Sequence, residues 1–331
     1  MTRFPHLALA AAALCLCAFA GSSGRKGSGI AFASKRDGNW EIYRIQSDGS
    51  RLTRLTDDPA AERFPVFSPD GRKLMFGAER AGKWELWVMD PDGSHRVRLT
   101  VDLVAKSRRS WSPDGKWIVF ESKRDGDSEI YSIRPDGSGL RQLTNNAVAD
   151  ESPSWSPDGA RLTFTSFRDG NAEVYAMQAD GTGPVRLTEN PAADNDADWS
   201  PDGKQLAFTS TRDGHRQLYL MRLSDRQVTR LTTDPAKDQG VDWSPDGSRI
   251  AFQSVRGENY DIEVLELAAH QRIRLTSGPE YDGQFDWSPD GTRLTFISGR
   301  GGRDAVWAMN ADGSGLARLT SEWSLDPTWS P

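Results

Sequence analysis

Trp155-Ser-Pro-Asp-Gly159 recurs along the chain at a fixed interval. Matching stretches begin at Phe67, Trp111, Trp199, Trp243 and Trp287, spaced in steps of 44 residues, and a last Trp329-Ser-Pro331 follows 42 residues after Trp287. A period of this length marks a propeller or solenoid. One short unit cannot bury its own apolar face there, and stacked neighbours must do it.

Read outward from Trp155, one unit resolves into four short strands. Pro153-Ser-Trp-Ser156 is the first and Pro157-Asp-Gly159 a turn, and Arg161-Leu-Thr-Phe-Thr-Ser166 alternates apolar and polar positions as a second strand. Arg168-Asp-Gly170 turns the chain into Ala172-Glu-Val-Tyr-Ala-Met177, and Asp180-Gly181 leads to Val185-Arg-Leu-Thr188. Proline presets φ at an early turn position, Asp accepts a backbone N–H, and Gly takes the positive φ that strains other residues. Such a meander of four strands is one propeller blade. In the second turn Arg stands in all seven units, whereas its Asp gives way at Arg80-Ala-Gly82, Arg256-Gly-Glu258 and Arg300-Gly-Gly302. A structural fork from Arg to carbonyls or a neighbouring carboxylate explains that better than an obligate Arg-Asp function.

The Leu-Thr marker of the fourth strand occurs at Leu55, Leu99, Leu143, Leu187, Leu231, Leu275 and Leu319, which predicts seven blades. Gly29-Ile-Ala-Phe-Ala-Ser34 matches the second strand of a unit and Pro327-Thr-Trp-Ser-Pro331 matches the first. The predicted fold is therefore an all-β, seven-bladed propeller of four-stranded antiparallel blades over 30–331, closed by overlap of its N- and C-terminal strands. The repeated Trp is expected to fill the wedge between neighbouring blades, with its N–H on a nearby carbonyl.

Composition agrees with many short strands and tight turns: 331 residues, 37% hydrophobic and 27% charged, with 31 Gly and 18 Pro. The net charge of -6 is spread over interleaved signs, and no basic run offers a phosphate-tracking surface, which argues against nucleic acid. Residues 1–20 differ in kind. Arg3, the apolar run from Leu7 to Phe19 and Ala18-Phe-Ala20 read as a signal peptide cleaved near Ala20-Gly21, followed by a short flexible segment over 21–29. The run is short for a membrane span, so the mature chain is expected to be periplasmic or secreted without a transmembrane segment. Both cysteines, Cys15 and Cys17, fall inside the run. Leu16 and Cys15 are not the small residues that lipid attachment at Cys17 prefers.

The order Trp-Ser-Pro-Asp-Gly, apolar strand, Ser-x-Arg-Asp-Gly, Glu-Ile-Tyr, Asp-Gly and Leu-Thr resembles the propeller repeats of the TolB family. Trp111-Ser-Pro-Asp-Gly115, Ile118-Val-Phe120, Ser122-Lys-Arg-Asp-Gly126, Glu129-Ile-Tyr131 and Leu143-Thr144 match it closely, and the match runs from Ile30 to Pro331. The resemblance implies the propeller fold. TolB joins an α/β domain to a six-bladed propeller and works in the periplasm with a peptidoglycan-associated lipoprotein and an inner-membrane partner; this chain, with seven blades and no room for the extra domain, reads as a stand-alone relative. Similar repeats also occur in propellers attached to peptidases and in sugar-cleaving lyases, so fold alone does not assign activity.

Candidate site residues come from one phase of the repeat. Six residues beyond each Leu-Thr threonine stand Glu62, Lys106, Asp150, Asp194, Asp238, Asp282 and Asp326, just before the inner strand. They are expected to gather at one mouth of the channel, with Glu151, Asp196, Asp198, Asp242 and Asp286 adding density on the later blades, and to attract a cation, an amine or a basic peptide segment. Asp side chains that cap their own turns are the competing explanation. Lys106 breaks the ring, and Lys106-Ser-Arg-Arg109 makes it asymmetric, with Lys106 and Arg109 orienting a partner. Trp323 stands in an inter-blade connection where other units place Pro, and Trp40, Trp84, Trp87, Trp117 and Trp307 lie outside the repeated column.

Enzyme motifs are scarce. His95, His215 and His270 occupy unrelated phases, and no Gly-x-Ser-x-Gly elbow, His-Glu-x-x-His helix or phosphate loop occurs. No catalytic residue is assigned and no cofactor is expected. Calcium is the alternative that Asp90-Pro-Asp-Gly93 and the crowded carboxylates leave open, although hairpin turns explain that stretch and its spacing is not that of a helix-loop-helix calcium site. The leading expectation is an exported, non-enzymatic scaffold binding a protein or peptide of the cell envelope. The alternative is an extracellular carbohydrate-active hydrolase or lyase.

Overall fold

The computed structural model describes residues 29–101 and 109–331. The expected signal peptide and the segment over 21–28 lie outside these residues, and so does Lys106. The described residues form seven four-stranded antiparallel sheets and no helix. Blades I to VI cover 61–98, 109–142, 150–186, 194–230, 237–274 and 282–318. Blade VII is the clasp: Ser324–Trp329 from the C-terminal end pairs with Gly29–Ser34, which continues through Glu41–Gln46 to Thr53–Arg54. Ser330 N donates to Gly29 O at 2.8 Å, so the clasp extends to the chain's last residues.

The first strand of each blade faces the axis, and neighbouring first strands touch around the ring. Trp111, Trp155, Trp199, Trp243, Trp287 and Trp329 are buried, and each packs with apolar side chains of the blade before it. The indole N–H groups of Trp111, Trp243 and Trp287 donate to Val66, Asp198 and Asp242 carbonyls of the preceding inner strand. Phe67 fills the same wedge between blades VII and I. Below five of the wedges the Pro of one turn meets the Gly of the next: a Cβ on Gly203 would stand 3.7 Å from Pro157, and one on Gly71 would stand 3.7 Å from Pro331. The last Ser-Pro therefore completes the same blade contact across the clasp.

The Leu-Thr marker holds the outer edge of each blade. The threonine hydroxyl accepts the backbone N–H of the third strand in all seven blades, as Val174 N to Thr188 Oγ1 at 2.9 Å, and in blades II, III and VII it donates to a buried Glu. The Ser-Pro-Asp-Gly turn is equally self-contained. Ser156 Oγ donates to Asp158 Oδ1, and Arg161 N donates back to Ser156 Oγ at 2.9 Å. These turn acids sit below the usual carboxylate range because hydroxyl and N–H donors hold the charged form, as at Asp158 and Asp202.

Candidate functional site at the channel

Every described inner strand except that of blade II contains a bulge in its middle. In blade IV, Asp196 and Ala197 together oppose Phe208, and pairing resumes at Asp198. Phe64, Ser152, Asp196, Gln284 and Asp326 stand at the same bulge position with φ of 61°, 55°, 55°, 49° and 56°, and Gly240 supplies the sixth with 68°. Only Gly takes that conformation without strain; Asn and Asp tolerate it better than most, and Phe is poorly suited. Bulges re-aim side chains. Here they bring Asp196, Gly240 and Gln284 to one channel cavity, and left-handed residues of this kind cluster at functional sites.

The mouth formed by blades IV to VI carries a cavity of about 570 Å³ lined by Asp196, Gln239, Asp242, Gln284, Phe285 and Asp286 along the inner strands, with Arg216, Gln253 and Tyr281 at its rim. A hydrogen-bonded chain fixes the rim: Arg216 Nη1 donates to Gln239 Oε1 at 3.4 Å, Gln239 Nε2 to Gln253 Oε1 at 2.8 Å, and Gln253 Nε2 to Asp282 O at 2.8 Å. Gly283 makes this possible, since a Cβ there would lie 2.3 Å from Gln253 Nε2 and 2.5 Å from the Tyr281 hydroxyl. Asp286 accepts Trp329 N at 2.7 Å, and burial pushes its carboxyl up to about 6.

The opposite side of the channel is cationic. Arg63 Nε donates to Asp326 Oδ2 at 3.1 Å and its Nη2 to Oδ1 at 3.3 Å, tying blade I to the clasp strand. The Arg63 and Arg109 guanidinium carbons lie 4.6 and 4.9 Å from the centroid of the Phe64 ring. Burial pulls Arg109 down to about 10, Asp326 opposes that shift, and Arg63 adds to it. Arg109 therefore keeps its charge at neutral pH.

The acidic ring expected at the mouth is placed differently. Glu62, Asp150, Asp194, Asp238 and Asp282 are buried, with exposures of 0–2%. Arg168, Arg212 and Arg300 cover Asp150, Asp194 and Asp282 through Nη2 to Oδ2 bonds of 2.8 Å, and Arg272 reaches Asp238 from the fourth strand at 3.0 Å. These residues stand five before the Trp, opposite a second-strand Ser such as Ser166 or Ser210, where strand alternation turns the side chain into the blade. Asp150, Asp194 and Asp282 are corrected from surface contacts to internal counter-ions of the second-turn arginines, the structural fork expected for those arginines, whereas Arg272 of the fourth strand holds Asp238 and Arg80 beside Glu62 donates to Asp58. Asp326 leaves the ring for another reason. The 42-residue final interval puts Ser324 opposite Ser34 in the ring's phase and moves Asp326 to the bulge. Asp326 and Arg109 are brought together at the channel. Trp323 is 49% exposed, and its backbone carbonyl accepts Lys35 N and Ser34 Oγ at the clasp.

Sequence reasoning missed Gln239, Gln253, Gln284, Arg63 and Phe64. The signal was variation: four before the Trp stand Arg63, Glu151, Asn195, Gln239, Gly283 and Leu325, and three before it Phe64, Ser152, Asp196, Gly240, Gln284 and Asp326, ahead of a Trp-Ser-Pro turn that hardly changes. In Asp90-Pro-Asp-Gly93, Lys73 and His95 occupy Asp90, while Ser94 occupies Asp92. Among the described residues no three His, Cys, Asp or Glu side chains converge as a metal-holding group, and no helix is long and apolar enough to cross a membrane.

The TolB beta propeller domain model matches residues 17–154, 105–188, 144–242 and 235–331. The chain belongs to this family. None of the curated proteins compared matches it. Among solved structures, TolB from Acinetobacter baumannii is 21% identical with a TM-score of 0.61, over 92% of this chain and 67% of that one. Oligogalacturonate lyase from Vibrio parahaemolyticus is 16% identical with a TM-score of 0.70, over 84% of this chain and 85% of that one. A puromycin-hydrolyzing peptidase from Mycobacterium tuberculosis is 18% identical with a TM-score of 0.69 over 89% of this chain, which spans 53% of the peptidase. At these identities the TolB-type fold is shared with a lyase and a peptidase, and function has to be read from the site.

Proposed function

We propose that this TolB-family propeller is a non-enzymatic binding scaffold, exported to the cell envelope, that takes a lysine- or arginine-bearing segment of a protein or peptide at the blade IV–VI mouth. The observation that carries the proposal is the grouping of Asp196, Asp242 and Asp286 around one cavity whose rim cation, Arg216, is engaged with Gln239. Carboxylates in a concave, partly desolvated mouth attract a cationic side chain more strongly than the same charges on open surface. The glutamines add donors and acceptors for an extended backbone, and Phe285 offers an apolar wall. Arg63 and Arg109 across the channel favour an acidic group at the other end of the segment, which sets its direction. Export rests on the leader-like residues 3–20.

The test uses the Asp196→Asn/Asp242→Asn variant, which spares Asp286 because that carboxylate holds Trp329 N. A fluorescent Lys-Arg octapeptide should bind the parent, and the double variant should weaken it about tenfold, the equivalent of about 1.4 kcal/mol. Binding of the basic octapeptide and a Glu octapeptide alike, or no change in the variant, defeats the proposal. Turnover in a polysaccharide screen, abolished by Asp242→Asn, replaces it with the carbohydrate-active reading.

A further inference from the structure

On the face opposite the channel mouth, the seam after blade II departs from those after blades III, V and VI. Two residues after the Gly of the Trp-Ser-Pro-Asp-Gly turn stand Arg161, Arg249 and Arg293 in blades III, V and VI. Each arginine lies across the seam over the next blade's Trp: Arg161 over Trp199 at 4.8 Å, Arg249 over Trp287 at 5.0 Å and Arg293 over Trp329 at 5.7 Å. The guanidinium also closes the groove by reaching the neighbouring backbone, as Arg249 Nη2 to Gly291 O at 2.8 Å and Arg293 Nη1 to Ser47 O at 3.1 Å.

Blade II has Trp117 at this position. Its indole turns toward its own outer strands, where Arg134 and Arg141 approach the ring at 4.9 and 4.6 Å, and among the described residues no arginine lies over Trp155. The seam between blades II and III is left as a cavity of about 520 Å³, lined by Trp117, Trp155, Arg141, Asp114, Asp158 and Asp180. Asp158 and Asp180 use Oδ1 for their own turns, through Ala160 N at 3.0 Å and Thr182 N at 3.0 Å. Hydroxyl and N–H donors keep both carboxyls ionised at neutral pH. Their Oδ2 atoms remain to accept from a ligand.

We infer that this seam is a binding site for a neutral oligosaccharide, separate from the channel. Indole surface suits the C–H face of a pyranose, and outward carboxylate oxygens accept its hydroxyls. Asp114 is paired with Lys116, but the outward carboxylates of Asp158 and Asp180 still disfavour an acidic sugar. The arginine found in the seams after blades III, V and VI would fill the groove, so Trp117 both leaves the site open and supplies its wall.

Intrinsic tryptophan fluorescence is titrated with maltohexaose, cellohexaose and hexa-N-acetylchitohexaose, with hexagalacturonate as the anionic comparison. At least one neutral hexasaccharide should bind. Trp117→Arg, which installs the residue of blades III, V and VI, should weaken that binding about tenfold or more without lowering the melting temperature. Asp180→Asn, at an exposed turn, should weaken it several-fold while Asp196→Asn in the channel leaves it unchanged. No binding of any neutral probe, equal binding of hexagalacturonate, or full binding by Trp117→Arg overturns the assignment.

Discussion

Arg212 Nη2 lies 2.8 Å from Asp194 Oδ2, and Arg168 repeats the bond to Asp150 one blade earlier at the same distance. Each arginine also donates Nε to the Ser ending the second strand, Ser210 at 2.9 Å and Ser166 at 2.7 Å, and lies over the Phe and Tyr rings of its blade. The guanidinium thus joins the start of the inner strand to the turn between the second and third. Removing it leaves a fully buried carboxylate without its counter-charge, which costs more than the pair contributes relative to an apolar replacement. Arg212→Ala should lose about 3–5 kcal/mol in urea unfolding. Asp194→Asn, which keeps the Asn190 contact and the fold of the turn, should lose less. Equal losses would show that the buried charge is not the source of the cost.

The Leu-Thr marker predicts a second measurable effect. Thr188 Oγ1 accepts Val174 N at 2.9 Å and donates to buried Glu173. Thr188→Val keeps shape but leaves a backbone N–H unpaired and takes a donor from the carboxylate. The expected loss is about 2–3 kcal/mol by thermal unfolding, and Thr188→Ser, which keeps the hydroxyl, should recover most of it. If Ser is as damaging as Val, methyl packing and not the hydrogen bond holds the marker.

Ring closure is testable by removing one strand. Ser324–Trp329 supplies the inner strand of blade VII, and Trp329 fills the wedge beside Ile297 and Val306. A chain ending at Trp323 should expose the edge of Gly29–Ser34 and lose the contact of Pro331 with the Gly71 turn. Loss of a buried Trp alone costs about 3–5 kcal/mol, and an open edge invites self-association. Light scattering should show oligomers of the truncated chain, and an added peptide of residues 324–331 should restore the monomer and its melting temperature. A truncated chain that stays monomeric and equally stable would mean that the clasp is dispensable.

Architecture was legible because the repeat states the same local rule seven times. Asp-Gly turns, the Trp wedge and the Leu-Thr edge follow from φ preference, side-chain volume and strand alternation, and even the clasp follows from phase. Reading the site failed where phase and orientation parted company. Asp194 and Asp196 are two residues apart, yet Asp194 turns into the blade and Asp196 lines the channel because a bulge begins between Asn195 and Asp198. Strand alternation alone puts both on one face. Asp326 was misplaced by the two-residue shortening of the last interval, which strand pairing exposes and residue counting from the Thr does not. Arg63 and Asp326 are 263 residues apart in sequence and meet only through closure of the ring.

Glu62 gives a prediction with a definite pH sign. It occupies the buried ring phase of blade I, but Arg80, the arginine expected to cover it, instead donates to Asp58 at 2.8 Å, and Glu62 Oε2 is buried without a hydrogen-bond partner. Burial pushes its carboxyl up to about 7, opposed by Thr56 and reinforced by Glu41. In the unfolded chain an ordinary Glu titrates near 4.3, so between roughly pH 4.3 and 7 the folded state holds a proton that the unfolded state has released. More protons on the folded state make stability fall as pH rises. The site should lose on the order of 3 kcal/mol across that window, most of it by pH 7, and change little below pH 4 or above pH 8. Glu62→Gln removes the titration: it should match the parent at pH 4.5 and exceed it in urea midpoint at pH 8. Parallel pH profiles for parent and variant would place the titrating group elsewhere, with Asp286, pushed up to about 6 beside Trp329, the next residue to substitute.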